Sequence, residues 1–217
     1  MKKIIILFLL SFTILSAQEN KKITPFSEIN YGVFGGLNFN NTSQTAGSFI
    51  FELGTGLTHS INLNLSAGYL KIFEADPYPV KTFTIAKIQD ETFYYAEDYE
   101  ITKFGYDILP LSVGLRYNFI QDKSFSPYLL IKGNYNIIEG KTYRTSGFSK
   151  PYNSLEEIPE EYKNNIDKTF PSGSFGITFG IGNAFTLSSK IGLDLRYLYK
   201  YDNEIINSHH FVVGITF

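Results

Sequence analysis

No cysteine occurs in the chain. Structural disulfides and a lipid-modified cysteine are therefore both excluded, and stability must come from backbone pairing and packing. Histidine is scarce, and the acidic residues show neither metal-ligand spacing nor the pattern of a calcium loop. There is no Gly-x-Ser-x-Gly elbow. Formal net charge is -2 and the basic residues are scattered, so no polyanion partner is implied and nucleic acid is excluded. Beyond the first fifteen residues no apolar run approaches the roughly 20 residues of a membrane helix. These absences leave no catalytic residues, no metal and no cofactor to be expected.

What the chain does contain is 20 Phe, 16 Tyr and 18 Gly, a mixture that favours strands over helices. Its single apolar run, Ile4 through Leu15, follows Met1-Lys2-Lys3 and ends at Ser16-Ala17-Gln18. Positive start, short apolar stretch and small residue read as a cleavable export signal over residues 1–17. Residues 18–28 form a connecting segment and residues 29–217 one domain.

Eight segments of that domain alternate with period two, which gives each a bulky apolar face and a small or polar one. Tyr31, Val33, Leu37 and Phe39 oppose Asn30, Gly32, Gly36 and Asn38; Phe49, Phe51 and Leu53 oppose Glu52 and Gly54; Leu63, Leu65, Ala67 and Tyr69 oppose Asn64, Ser66 and Gly68. The fourth, about Tyr106 to Phe119, sets Leu111, Val113, Leu115 and Tyr117 against Ser112, Gly114 and Arg116. The fifth sets Leu129, Ile131 and Tyr135 against Lys132, Asn134 and Asn136, with Tyr128 and Leu130 as apolar exceptions. Phe175 to Ile181 alternate with Gly176, Thr178, Gly180 and Gly182. Leu193, Leu195, Tyr197 and Tyr199 oppose Gly192, Asp194 and Arg196, and finally Phe211, Val213, Ile215 and Phe217 oppose His210, Gly214 and Thr216.

Alternation alone does not say which face points inward. The export signal and the closing strand that ends on Phe217 decide for an apolar exterior, as does the abundance of Gly on the polar faces, which a narrow lumen requires. The fold class is therefore all-β: an eight-stranded antiparallel up-and-down transmembrane β-barrel. Connections alternate between short (Thr58–Ile61, Ile120–Ser126, Thr186–Lys190) and longer (Asn40–Gly47, Phe73–Thr102, Glu139–Gly173, Tyr201–Ser208). Short periplasmic turns and long extracellular loops produce that rhythm, which predicts the cell outer membrane with both ends of the barrel chain in the periplasm.

Gly32-Val33-Phe34-Gly35-Gly36-Leu37-Asn38 and the segment Tyr106 to Phe119, with Leu109-Pro110-Leu111 and Leu115-Arg116-Tyr117, resemble the PorT-like or "porin family" outer-membrane β-barrels of Bacteroidota, of OmpX/OmpA type. The resemblance covers nearly the whole exported chain and implies a fold more than an activity. It also implies that Phe211, Val213, Ile215 and Phe217 form a terminal signal read by the barrel-assembly machinery.

Inward charges are expected at Glu52, Arg116, Lys132, Asp194 and Arg196. In an eight-stranded lumen, which side chains just fill, they should pair into a network that plugs and rigidifies the barrel. The alternative is the selectivity filter of a narrow channel. Ser208, His209, His210 and Glu204 offer the types of a hydrolase site, but neighbouring strand residues face opposite ways, so Ser208 and His209 should not meet. His59 sits in a short turn. Thr82 to Ile88 predicts an extension of the third strand, returning over Thr92 to Thr102 around a Gln89-Asp90-Glu91 tip. Ser154 is placed to cap a short helix near Pro159. The expected protein is non-enzymatic, with outer-membrane lipids and lipopolysaccharide as surroundings and an extracellular protein partner for loops 73–102 and 139–173. A channel, a lipid-active enzyme and a secretion accessory are the alternatives.

Overall fold

A computed structural model of the chain describes residues 26, 29–41, 44–75, 77–120, 124–163 and 170–217. The predicted export signal over residues 1–17 and most of the 18–28 segment lie outside the described residues. Ten strands follow: β1 (Ile29–Phe39), β2 (Thr45–Gly56), β3 (Ile61–Glu74), β4 (Tyr78–Ile88), β5 (Glu91–Asn118), β6 (Phe125–Arg144), β7 (Phe148–Tyr152), β8 (Gly173–Thr186), β9 (Gly192–Asp202) and β10 (Ser208–Thr216). Eight of them close on themselves in the order β1-β2-β3-β5-β6-β8-β9-β10, all antiparallel. The seam between β1 and β10 runs in continuous register from Phe39↔His209 to Gly32↔Thr216. It is prolonged by reciprocal backbone bonds between Tyr31 and Phe217, at 2.8 and 3.1 Å. Closure leaves no free edge in the barrel, so every strand satisfies its backbone within the sheet.

Side-chain alternation sorts as the residue types require. The apolar series of the eight segments is exposed on the outside, for example Leu65, Leu115, Leu195 and Val213, while Asn38, Glu52, Asn64, Lys132, Asn136, Asp194 and Arg196 are buried inside. This distribution inverts that of a water-soluble barrel and fits a solvent of hydrocarbon.

Strand β5 is twice the length the alternation around Tyr106 to Phe119 suggests. Its inner part pairs with β3 and β6, and its outer part, through Ile101, pairs with β4 on one side and β7 on the other. The 73–102 segment is thus mostly strand. The third strand does not run on unbroken: β3 stops at Glu74 and β4 starts at Tyr78, taking up the same edge of β5 where β3 leaves it. Gln89 and Asp90 turn the hairpin with φ of 55° and 81°, the left-handed pair that a two-residue hairpin requires. At about 3.3 Å per residue, the outer part of β5 extends some 40 Å of strand past the barrel. In the 139–173 segment the short helix near Pro159 exists as one 3₁₀ turn, Glu160–Tyr162. It starts after Pro159 without any side-chain cap, so Ser154 does not cap it.

Candidate functional site

Period-two geometry on β2, β5, β6 and β9 turns all five predicted interior charges toward the barrel axis, and they meet. Arg196 grips Glu52 with both ends of its guanidinium, 2.9 Å to each carboxylate oxygen, and reaches Asp194 at 3.0 and 3.1 Å. Lys132 hydrogen-bonds Glu52 and donates to Ser66 Oγ at 3.0 Å. Arg116 donates to Asp194 at 3.3 Å and to Asn118 at 2.8 Å, and the Tyr128 hydroxyl donates to Asp194. Asp194 is fully buried. Buried charges of this kind persist only when each is paired and hydrogen-bonded, and here each carboxylate receives several charged donors.

The guanidiniums also stack on rings: Arg196 lies 3.8 Å from the Phe34 centroid and Arg116 3.7 Å from that of Tyr128. Phe34, Tyr128, Leu130, Leu198 and Val212 form a buried cluster inside the barrel. Tyr128 and Leu130, apolar exceptions in the sequence, are interior packing. Glycines make room for them: a Cβ on Gly214 would stand 2.0 Å from the Phe34 ring, and one on Gly182 2.3 Å from that of Tyr128. Phe34 stands between Gly32 and Gly36 in the inward series of β1, which gives its direction but not its partner. Its partner glycine is 180 residues away on the other side of the seam.

Above this network lies a second polar layer. Asn136 donates to Asp202 at 2.6 Å and to Ser174 at 3.2 Å, Ser174 donates to Asp202 at 2.9 Å, and Lys200 donates to Asn136 at 2.8 Å. Lys200 and Asp202 continue the inward series of Asp194 and Arg196, so the alternation of β9 carried past Tyr199 is the signal that locates them. A cavity of about 40 Å³ lies between the layers, lined by Ser48, Lys132, Asn134, Lys200 and His210 among others. Higher still, Leu70, Ile72, Val80, Ile101, Phe104, Tyr106, Ile108, Ile138 and Ile205 pack into an apolar cluster, joined by Phe170. At the opposite mouth a vestibule of about 300 Å³ reaches in to Glu52, Arg116 and Arg196.

The candidate hydrolase residues separate. Ser208 and His210 point inward together, Oγ to Nε2 2.8 Å, and both are buried. His209 points outward, where the Tyr197 hydroxyl meets its Nδ1 at 2.6 Å and the rings of Phe39 and Tyr199 flank it. Glu204 lies outside, next to Asn203, which donates to it at 3.4 Å. His59 stays in the β2–β3 turn and lines the wall of a cavity at the vestibule end. Among the described residues no group of three or more His, Cys, Asp or Glu is placed to hold a metal ion. Phe211, Val213, Ile215 and Phe217 share the outward face of the closing strand, with Phe217 stacked on Tyr31 at 5.2 Å.

No family model matches the chain, and no curated protein matches it. Among solved structures it is similar to Neisserial surface protein A, with 10% identity, a TM-score of 0.48 and coverage of 87% of this chain and 94% of the other. It is also similar to the amino-terminal β-barrel domain of Pseudomonas aeruginosa OprF (13%, TM-score 0.48, 89% and 98%) and to Yersinia pestis Ail in complex with a heparin analogue (12%, TM-score 0.45, 90% and 100%). The closed sheet itself defines the class: an eight-stranded antiparallel β-barrel, apolar without and polar within.

Proposed function

We propose that this chain is an integral outer-membrane β-barrel, non-enzymatic, whose lumen is plugged and whose working surface is the β4–β5–β7 projection. The observation that carries the reading is the Glu52–Arg196–Asp194 network with its Lys132 and Arg116 partners, stacked beneath a second polar layer and an apolar lid. An eight-stranded interior is just wide enough for side chains, and these fill it. The apolar outer face and the alternation of short turns with long external segments support the membrane setting.

The projection is built as a stiff display surface. Lys81 pairs with Glu161 at 3.0 Å and lies over the Tyr162 ring, and Arg144 lies over Tyr99. Ile85, Ile88 and Phe148 remain exposed on it. A protein outside the cell is the partner such a surface fits. The PorT-like resemblance adds a finer reading, a secretion-accessory role, tested by surface export in a deletion strain.

Planar-bilayer conductance of the refolded protein tests the plug. Silence from the wild type is the expected result. Reproducible unitary currents that change on Arg116→Ala or Lys132→Ala would make the interior charges a filter and the protein a channel.

A further inference from the structure

On the described barrel strands, outward-facing charge near the external end is confined to one sector. On β3, β5 and β6 the outward residues above the apolar belt are Lys71, Lys103, Asp107, Glu139 and Lys141. On β1, β8, β9 and β10 the corresponding outward positions are aromatic, Phe39, Phe175, Tyr199, Tyr201 and His209, and on β2 they are the uncharged Thr45 and Gly47. Aromatic girdles are what a lipid–water boundary selects, so a patch of lysines within one needs its own reason.

The patch is organised. Lys141 reaches Asp107 at 2.5 Å and Glu139 at 3.5 Å, and Lys71 reaches Asp107 at 3.5 Å. Among the described residues Lys103 has no carboxylate partner; its ammonium lies 4.3 Å from the Phe73 centroid and 5.1 Å from that of Tyr143. Lys71 shares the Phe73 ring at 5.3 Å. The strand between them carries Gly105, whose absent side chain lets both rings close over the backbone. A Cβ there would stand 2.8 Å from Tyr143 and 3.4 Å from Phe73. Lys71 and Lys103 thus meet the two rings while Lys141 pairs beside them, and among the described residues the three ammoniums share only the carboxylates of Asp107 and Glu139, which leaves one positive charge uncompensated at the headgroup level.

Resting on the membrane reading above, we propose that Lys71, Lys103 and Lys141 form a binding site for the phosphate groups of an outer-leaflet lipid headgroup. The lipid's chains lie along the apolar face beneath, formed by Leu65, Leu109 and Ile137. Its phosphate takes Lys103 and displaces part of the Lys71 and Lys141 pairing with Asp107. Lysine serves here as a point charge with freely turning donors, suited to a phosphate of variable position.

Native mass spectrometry of the refolded barrel incubated with diphosphoryl lipid A, or with its dephosphorylated form, in mixed phosphatidylcholine micelles tests the site. The wild type is expected to retain the phosphorylated lipid about tenfold better, and K71Q/K103Q/K141Q to lose that preference. K81Q/K87Q/K150Q, with the same charge change on the projection, should keep it. Equal retention by wild type and the first variant overturns the site. Displacement by inorganic phosphate in the same range overturns the lipid assignment in favour of a free anion. Insertion into plain phosphatidylcholine vesicles, read by heat-modifiable mobility, separates the two levels. Failure to insert sinks the membrane reading itself, whereas insertion without headgroup preference sinks only this site.

Discussion

At the scale of single residues the molecule shows two kinds of cost. On the outside, Leu111 faces hydrocarbon midway along the membrane part of β5, and a charge there must be desolvated. Leu111→Arg should lower folding stability in phospholipid vesicles by about 2–4 kcal/mol, measured by urea titration. On the inside, Arg196 compensates both buried carboxylates. Arg196→Ala leaves Asp194 to Arg116 and Glu52 to Lys132, and should cost about 3–5 kcal/mol in the same titration, because an under-compensated charge remains buried. Equal effects of Arg196→Ala and Arg196→Lys would show that packing on Phe34, rather than the bidentate grip, is what matters there. Asp107, above the belt, gives a pH signature. Partial burial opposes its ionisation, but hydrogen bonds from Lys141 and Tyr69 outweigh this and hold its carboxyl below the ordinary 3.8. The depressed value means that its stabilisation is fully present above that ordinary value and disappears as pH falls through the lower folded one. The stability gap between wild type and Asp107→Asn should therefore stay level from neutral pH down to about 5 and close in stronger acid.

At the scale of elements, the seam between β1 and β10 and the tip of the projection each depend on local geometry. Phe217 continues the seam by two backbone bonds to Tyr31 and stacks on its ring. Phe217→Ala should slow assembly into the outer membrane, read as a lower amount of heat-modifiable protein after a pulse of synthesis; unchanged levels would dissociate closure from this ring. At the tip, Gln89 and Asp90 occupy left-handed conformations without being glycine. Replacing them with Asn-Gly should stabilise the hairpin by up to about 1 kcal/mol, measured as slower trypsin cleavage at Lys87. The barrel strands were legible in sequence because each has two faces meeting different solvents, so the alternation of β1 or β9 survives almost unbroken. The interior charges were legible for the same reason. What the alternation left unexplained was why Phe34, Leu198 and Val212, in phase with the polar side, are apolar. They fill space that Gly182, Gly214 and their neighbours leave across the lumen, a relation between distant strands that no local period records. The break between β3 and β4 was hidden too, since both lie on one edge of β5 and share one phase.

At the scale of the whole molecule, the chain is two structures sharing one strand. The barrel is closed by eight strands, each paired on both sides, whereas the projection hangs on the outer half of β5 with β4 and β7 as its flanks. The apolar lid sits where they join and draws on both: Ile72, Ile108 and Ile138 from the barrel, Val80 and Ile101 from the base of the hairpin. Backbone closure in hydrocarbon depends on the barrel strands alone, because only they must satisfy their hydrogen bonds without water. Excising residues 82–97 and joining the stumps with a Gly-rich turn keeps Val80 and Ile101, removes the distal hairpin and takes from β7 four of its five partners on β5. The shortened protein should still insert into vesicles and keep its heat-modifiable mobility, while losing any partner captured through the projection. If it no longer inserts, the hairpin belongs to the folding unit of the barrel, and its length would then reflect assembly rather than display.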